Sequence, residues 1–270
     1  MKDQIWWVTG ASSGIGAALA RGLAGRGARL ILSGRNVAAL EAVAEDCGPG
    51  TMILPFEATD YPALPTLVQE AWDWCGRIDG LVNNAGISQR SLAIDTDFSV
   101  YQKIVDVDLL APIALTQQLL PRMIEAGGGQ IVAISSVAGI LGAPLRSAYS
   151  AAKHGLIGYH DSVRVENEHR GLKVLVVAPG SVRTNVSRNA LNADGSTRGT
   201  SDAVIENGMS PEDAATQILD AIAAGKREIV VAEGAEADMA RLRRADPDAL
   251  FDRMSATVQA GLAAQLKTGE

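Results

Sequence analysis

The feature that most constrains this chain is an alternation. Short apolar runs, several rich in β-branched residues and nearly free of charge, exchange with longer segments of helical period from the first residues to about position 232. The runs Gln4–Thr9, Ala28–Ser33, Thr51–Phe56, Gly80–Asn83, Gln130–Ser135, Lys173–Ala178 and Glu228–Val231 read as strands. Between them, Gly14–Gly25, Val37–Asp46, Tyr61–Cys75, Phe98–Glu125, Ser147–Arg170 and Pro211–Ala224 read as helices. A run such as Leu172–Val177, whose one charge is Lys173, suits a strand covered on both faces. The repetition predicts a single doubly wound α/β domain, with a central, mostly parallel seven-stranded sheet flanked by helices and joined by right-handed crossovers. That domain is expected over residues 1–235, with 236–270 as its C-terminal helical extension.

Two segments break the rhythm. Residues 181–210 are polar, rich in Asn, Ser, Gly and Thr, and follow a strand end, where α/β sheets bind ligands; a mobile substrate lid is expected there. In the tail, Leu250, Met254, Val258, Leu262 and Leu266 recur on one helical face, and Asp246-Pro247 marks a helix start. Sparse Lys and Arg on that helix favour docking against protein over a membrane surface.

Composition narrows the partners. Hydrophobic residues make up 47% of the 270, which excludes disorder. With 24 Lys and Arg against 31 Asp and Glu, the net charge of −7 argues against nucleic acid. Cys47 and Cys75 form no disulfide framework or zinc motif, and no metal is expected. Met1–Trp7 reads straight into a strand rather than a secretory signal, and no apolar run was found to reach the roughly 18–20 residues a bilayer requires. A cytoplasmic location without membrane partners is the expectation.

The first strand ends in Thr9-Gly10-Ala11-Ser12-Ser13-Gly14-Ile15-Gly16. A glycine-rich turn between a first strand and a first helix is the dinucleotide-binding signature of a Rossmann-type domain. Gly10 permits the turn, Gly14 the approach of a pyrophosphate, and Gly16 close helix–strand packing. The helix N-terminus then offers free N–H groups to phosphates, with Ser12, Ser13 and Ile15 alongside. The second strand ends in Gly34-Arg35-Asn36, with Gly34 where an acidic residue would hold a ribose 2′-hydroxyl. Arg35 can pair with a 2′-phosphate, so NADP(H) is the expected cofactor. Asn36 stands beside it, Glu57 and Ala58 are placed to meet the adenine, and Asn84, Ala85 and Gly86 let the cofactor pass close to backbone.

Tyr149 and Lys153 share one face of a helix, four positions apart. Reducing a carbonyl requires an acid for its oxygen. A phenol ordinarily titrates near pH ~10, and a neighbouring ammonium favours its phenolate, moving proton exchange toward neutral pH. Ser136, at the end of the fifth strand, can hydrogen-bond the same oxygen.

Taken in order, Thr9–Gly16, Asn83–Gly86, Ser136, Tyr149, Lys153 and Pro179-Gly180-Ser181-Val182-Arg183-Thr184 resemble the short-chain dehydrogenase/reductase family over roughly residues 3–232. The resemblance implies Tyr149 as acid/base, Lys153 on the nicotinamide ribose, Ser136 polarising the carbonyl, and Pro179, Gly180, Val182 and Thr184 around the carboxamide and pyrophosphate. It also implies a small-molecule ketone or alcohol substrate and assembly as a homodimer or homotetramer. The segments Ile131–Ser136, Arg146–Tyr149, Thr184–Ser187 and Asn192–Ser196 are similar to the member-7B-type branch.

The chain departs from the family pattern at three places. Asp108 stands where the family has an Asn in its proton relay, and it joins Ser136, Tyr149 and Lys153 as a candidate catalytic residue able to pair with Lys153. Glu57 replaces the usual Asp, and Ser13 a common basic residue, which leaves NADP(H) preference on Arg35. The leading expectation is an NADPH-dependent oxidoreductase. The alternatives are an NAD-dependent alcohol dehydrogenase and a catalytically weakened, cofactor-binding regulatory protein. A sugar-nucleotide epimerase needs a larger C-terminal domain. Ile87, Leu92, Ile140 and Leu141 suggest an apolar substrate.

Overall fold

The computed structural model describes residues 1–262. Its seven strands are Ile5–Thr9 (β1), Arg29–Ser33 (β2), Thr51–Ile53 (β3), Gly80–Asn83 (β4), Gly129–Ile134 (β5), Leu172–Pro179 (β6) and Glu228–Val231 (β7). They form one sheet in the order β3-β2-β1-β4-β5-β6-β7. Every pair is parallel, where sequence reading allowed a mostly parallel sheet. The order reverses between β1 and β4, and a crevice opens at the strand ends beyond that point.

The helices are Gly14–Gly25 (α1), Val37–Cys47 (α2), Leu64–Cys75 (α3), Phe98–Val105 (α4), Ala111–Glu125 (α5), Ser147–Asn167 (α6), Ala203–Glu206 (α7), Pro211–Ala223 (α8), Gly234–Ala245 (α9) and Pro247–Thr257 (α10). β1 shows why both faces need covering. Its side chains alternate, Trp6 and Val8 entering one core with Leu19, Leu23 and Ile218, and Ile5 and Trp7 the other with Leu81, Leu115 and Leu119. All five of its residues are buried, which is why no polar alternation is visible in the sequence.

Three of the elements differ notably from expectation. β3 ends at Ile53 instead of Phe56, although Leu54 and Phe56 N–H still donate to the Leu32 and Gly34 carbonyls at 2.9 and 3.3 Å. The long helix expected over Phe98–Glu125 is interrupted by a π turn at Asp106–Leu110, closed by Ala111 N–H donating to the Asp106 carbonyl. Pro112 has no N–H to return to residue 108, so the helix widens there. This same stretch is long and apolar enough to cross a membrane by length and composition, contrary to expectation. Leu115, Leu119 and Met123 are nevertheless buried in the sheet's core. The tail is two helices. The second starts as expected, with the Asp246 carboxylate accepting from Ala249 N–H. Leu250 and Met254 pack on Val137, Leu141 and Ala240, but Val258 is exposed and Gly261, at φ 82°, breaks the period. Leu266 lies outside the described residues.

A buried polar trio sits beneath the site. Asn83 Nδ2 donates to Thr116 Oγ1 at 2.9 Å and meets His160 Nε2 at 3.4 Å. His160 Nδ1 meets the Leu156 carbonyl at 2.9 Å, so Nδ1 carries the proton and Nε2 accepts. Burial pushes His160 down to about 4. An unfolded His titrates near pH ~6.5, so as pH falls below that value only the unfolded chain takes the proton, and native stability declines until the folded His protonates. Urea unfolding should therefore show a loss of ~3 kcal/mol between pH ~6.5 and ~4, largely absent in His160→Gln.

Candidate active site

The β1–α1 turn is built by backbone that only glycine adopts readily. Gly10 and Gly14 have φ of 63° and 56°. A Cβ on Gly10 would lie 2.8 Å from Asn84 Nδ2, and one on Gly14 2.9 Å from Thr184 Cγ2. Ser13, the N-cap of α1, makes no side-chain cap, so the first N–H groups of the helix remain available to an anion. Asn84 ties this turn to the end of β4, donating to the carbonyls of Thr9 at 3.0 Å and Gly10 at 3.2 Å. Thr9 Oγ1 in turn accepts from the N–H groups of Asn84 and Ala85.

A cleft of about 610 Å³ runs along these strand ends. Gly10, Ser12, Ser13, Gly14 and Ile15 line it from the first turn, and Arg35, Glu57 and Ala58 from beyond β2 and β3. Asn84, Ala85, Gly86, Asp108, Ser136, Tyr149, Lys153, Pro179, Gly180, Val182 and Thr184 line the remainder. Two expected residues do not. Gly16 instead seats α1 on the turn, where a Cβ would fall 2.3 Å from the Gly10 carbonyl oxygen. Asn36 is the N-cap of α2, its side chain accepting from Ala39 N–H at 3.1 Å. Arg35 is exposed and lies 3.5 Å from the Glu57 carboxylate.

The chemical groups converge at the cleft's inner end. Ser136 Oγ accepts from Ala138 N–H at 3.1 Å and donates to the Pro179 carbonyl at 3.3 Å. Lys153 Nζ lies 5.6 Å from the centre of the Tyr149 ring. It donates to the Ile134 carbonyl at 3.1 Å and stands 3.1 Å from Asp108 Oδ2. Side-chain exposure is 5% for Lys153 and 0% for Asp108. Asp108 Oδ1 accepts from Ile87 N–H at 2.9 Å. Burial pushes the Asp108 carboxyl up, against the pull of Lys153 and the Ile87 N–H. For Lys153, burial acts downward but is outweighed by Asp108 and Tyr149, and the ammonium is held above its usual range.

A second cavity of about 350 Å³ shares Ser136, Tyr149 and Gly180 with the first. Leu141, Met239 and Met254 give it apolar walls. Of the four residues expected to make the substrate pocket apolar, Leu141 lines this cavity and Ile87 the cleft; Leu92 and Ile140 line neither. The cavity also exposes residues that sequence reading missed. Glu236, on α9, accepts from Ser181 N–H at 2.6 Å and Oγ at 2.9 Å, fastening the tail to the end of β6. Asp202 meets Arg90 and Arg146 at 3.1 Å each and Arg198 at 2.7 Å. The expected lid at 181–210 is thus anchored by buried ion pairs, with Val182 bridged to Met209 and Leu191 to Thr197. Arg198 and Asp202, four positions apart in the lid, were the one local clue to the cluster. Ser181 and Glu236, 55 positions apart, offered none.

Comparison with known proteins agrees with this architecture. Residues 4–195 match the family model for short chain dehydrogenase. Dehydrogenase/reductase SDR family member 7B of Danio rerio is 39% identical over 241 residues, covering 86% of this chain and 78% of that protein. A short-chain dehydrogenase structure from Streptomyces avermitilis superposes with a TM-score of 0.80 at 27% identity, covering 97% of this chain and 99% of the other. A short chain dehydrogenase/reductase from Burkholderia phymatum in complex with NAD shares the fold, with a TM-score of 0.81 at 21% identity over 92% of this chain and 95% of that one. The chain belongs to the short-chain dehydrogenase/reductase family of oxidoreductases, whose members bind a nicotinamide cofactor.

Removing the carboxylate that three guanidiniums share should loosen the lid. Asp202→Ala is expected to destabilise the closed segment by about 3–5 kcal/mol, the usual cost of leaving buried charge without its counter-ion. Limited proteolysis should show new cleavage within residues 181–210, and thermal unfolding a lower Tm.

Proposed function

We propose that this chain is an NADPH-dependent oxidoreductase that interconverts a ketone and a secondary alcohol. The observation that carries the reading is the meeting of Ser136, Tyr149 and Lys153 where the long cleft and the apolar-walled cavity join. The nicotinamide, when bound, supplies or takes up the hydride. Gly10, Gly14 and the open N-terminus of α1 would hold its pyrophosphate, and Lys153 its ribose. Ser136 Oγ hydrogen-bonds the carbonyl oxygen and holds it beside Tyr149. Tyr149 gives its proton to that oxygen in reduction and takes it back in oxidation.

Arg35 favours a 2′-phosphate over a free hydroxyl, since no carboxylate stands at Gly34 to accept from the hydroxyl. Glu57 would have to share Arg35 with that phosphate. The substrate side is the second cavity, closed by the lid and α10. Exposed Phe98, Leu110 and Val165 on the helices around Asp108 and Tyr149 favour self-association as a homodimer or homotetramer. A cytoplasmic setting, with no nucleic acid or membrane partner, completes the reading.

Fluorescence titration with NADPH and NADH, followed by turnover on a ketone panel, tests it. Arg35→Ala should weaken NADPH binding by roughly 10-fold or more while leaving NADH nearly unchanged, the loss of about one charge-assisted bond. Equal affinity for both cofactors in the parent protein would refute the NADPH preference. Tyr149→Phe should bind cofactor normally and lose turnover; retained turnover would remove the acid/base assignment.

A further inference from the structure

Lys153 does not present a bare positive charge to Tyr149. Its Nζ is 3.1 Å from Asp108 Oδ2, and the two side chains are essentially sealed from solvent. Oδ1 accepts the Ile87 N–H and Oδ2 faces an ammonium, contacts that suit a carboxylate, while burial pulls the carboxyl the other way. The packing leaves the pair no room to part toward β4, for a Cβ on Gly86 would fall 2.8 Å from Asp108 Oδ2 and 3.3 Å from Lys153 Nζ. The π turn at Asp106–Leu110 carries Asp108 into the site.

We propose that Asp108 is a positioning residue that neutralises Lys153, keeps Tyr149 as the protonated phenol at neutral pH, and so biases the enzyme toward carbonyl reduction. The inference rests on the acid/base role assigned to Tyr149 above. In reduction, a C–H bond forms at the carbonyl carbon with hydride from the reduced nicotinamide. The Tyr149 O–H bond breaks as its proton passes to the oxygen, and solvent then reprotonates the phenolate. Oxidation needs the phenolate at the outset. A bare ammonium beside the ring favours that phenolate more strongly than an ammonium already paired with a carboxylate.

The other charged groups that share cavities with Tyr149 do not change this balance. In the cleft they are Lys103 on α4, with Arg35 and Glu57 at the far edge; in the second cavity they are Arg90, Arg146, Asp202, Glu236 and Arg253. His154, the next residue on α6, is exposed and lines neither cavity. His160 is neutral above about 4.

The test is the pH dependence of alcohol oxidation and ketone reduction in the parent and in Asp108→Asn. The variant keeps the shape and removes the charge. Its oxidation profile should move to lower pH by about one to two pH units, raising the oxidation kcat relative to the reduction kcat roughly 10-fold or more at pH 7. Superimposable profiles would overturn the proposal. Ultraviolet difference titration of the cofactor-free parent against Tyr149→Phe reads the same phenol without turnover, and does not depend on the Asp108 variant folding. Phenolate appearing only above about pH 8.5 supports the proposal, and phenolate appearing below that overturns it. Absence of turnover on every ketone and alcohol would defeat the oxidoreductase reading while leaving this titration decisive for Asp108.

Discussion

The Asp108–Lys153 ion pair is the point on which the site's geometry depends. It joins three elements that the chain visits far apart: the π turn in the long helix, α6, and, through Lys153 donating to the Ile134 carbonyl, the end of β5. Ile87 N–H on Asp108 adds the segment after β4. Two charges withdrawn from water are tolerable only when paired and hydrogen-bonded, and breaking such a pair costs more than forming it returns. The same pair therefore holds the inner wall of the cleft and limits how much positive charge reaches Tyr149.

A second buried charge cluster does comparable work at the second cavity. Asp202 gathers Arg90 from after β4, Arg146 from before α6 and Arg198 from the lid itself. The segment 181–210 thereby becomes part of the wall of the cavity that Ser136 and Tyr149 line. Glu236, bonded to Ser181, draws α9 onto the end of β6, and α10 closes the cavity behind it. The cleft and this cavity thus meet at Ser136 and Tyr149, with Gly180, Val186 and Ile205 shared between them.

Much of this was legible before any coordinates. Strands covered on both faces leave long apolar runs, and a glycine turn after the first of them leaves a local motif. The order of these signals sufficed for the fold, the cleft and the group Ser136, Tyr149 and Lys153. Where local reading went astray, the cause was local chemistry competing with a longer pattern. Pro112 widened a helix that looked continuous, and the Asn36 side chain caps the start of α2.

The sequence by itself determined the α/β class, the sheet's parallel character, the glycine-rich turn after β1 and the spacing of Tyr149 and Lys153, because each is written in neighbouring residues with a fixed period. Only the tertiary structure decided that Asp108 lies against Lys153, that three arginines share Asp202, and that Glu236 caps Ser181. Apart from Arg198 and Asp202, these contacts join residues dozens of positions apart. Their energies come from burial and charge, which exist only once the chain has closed around them.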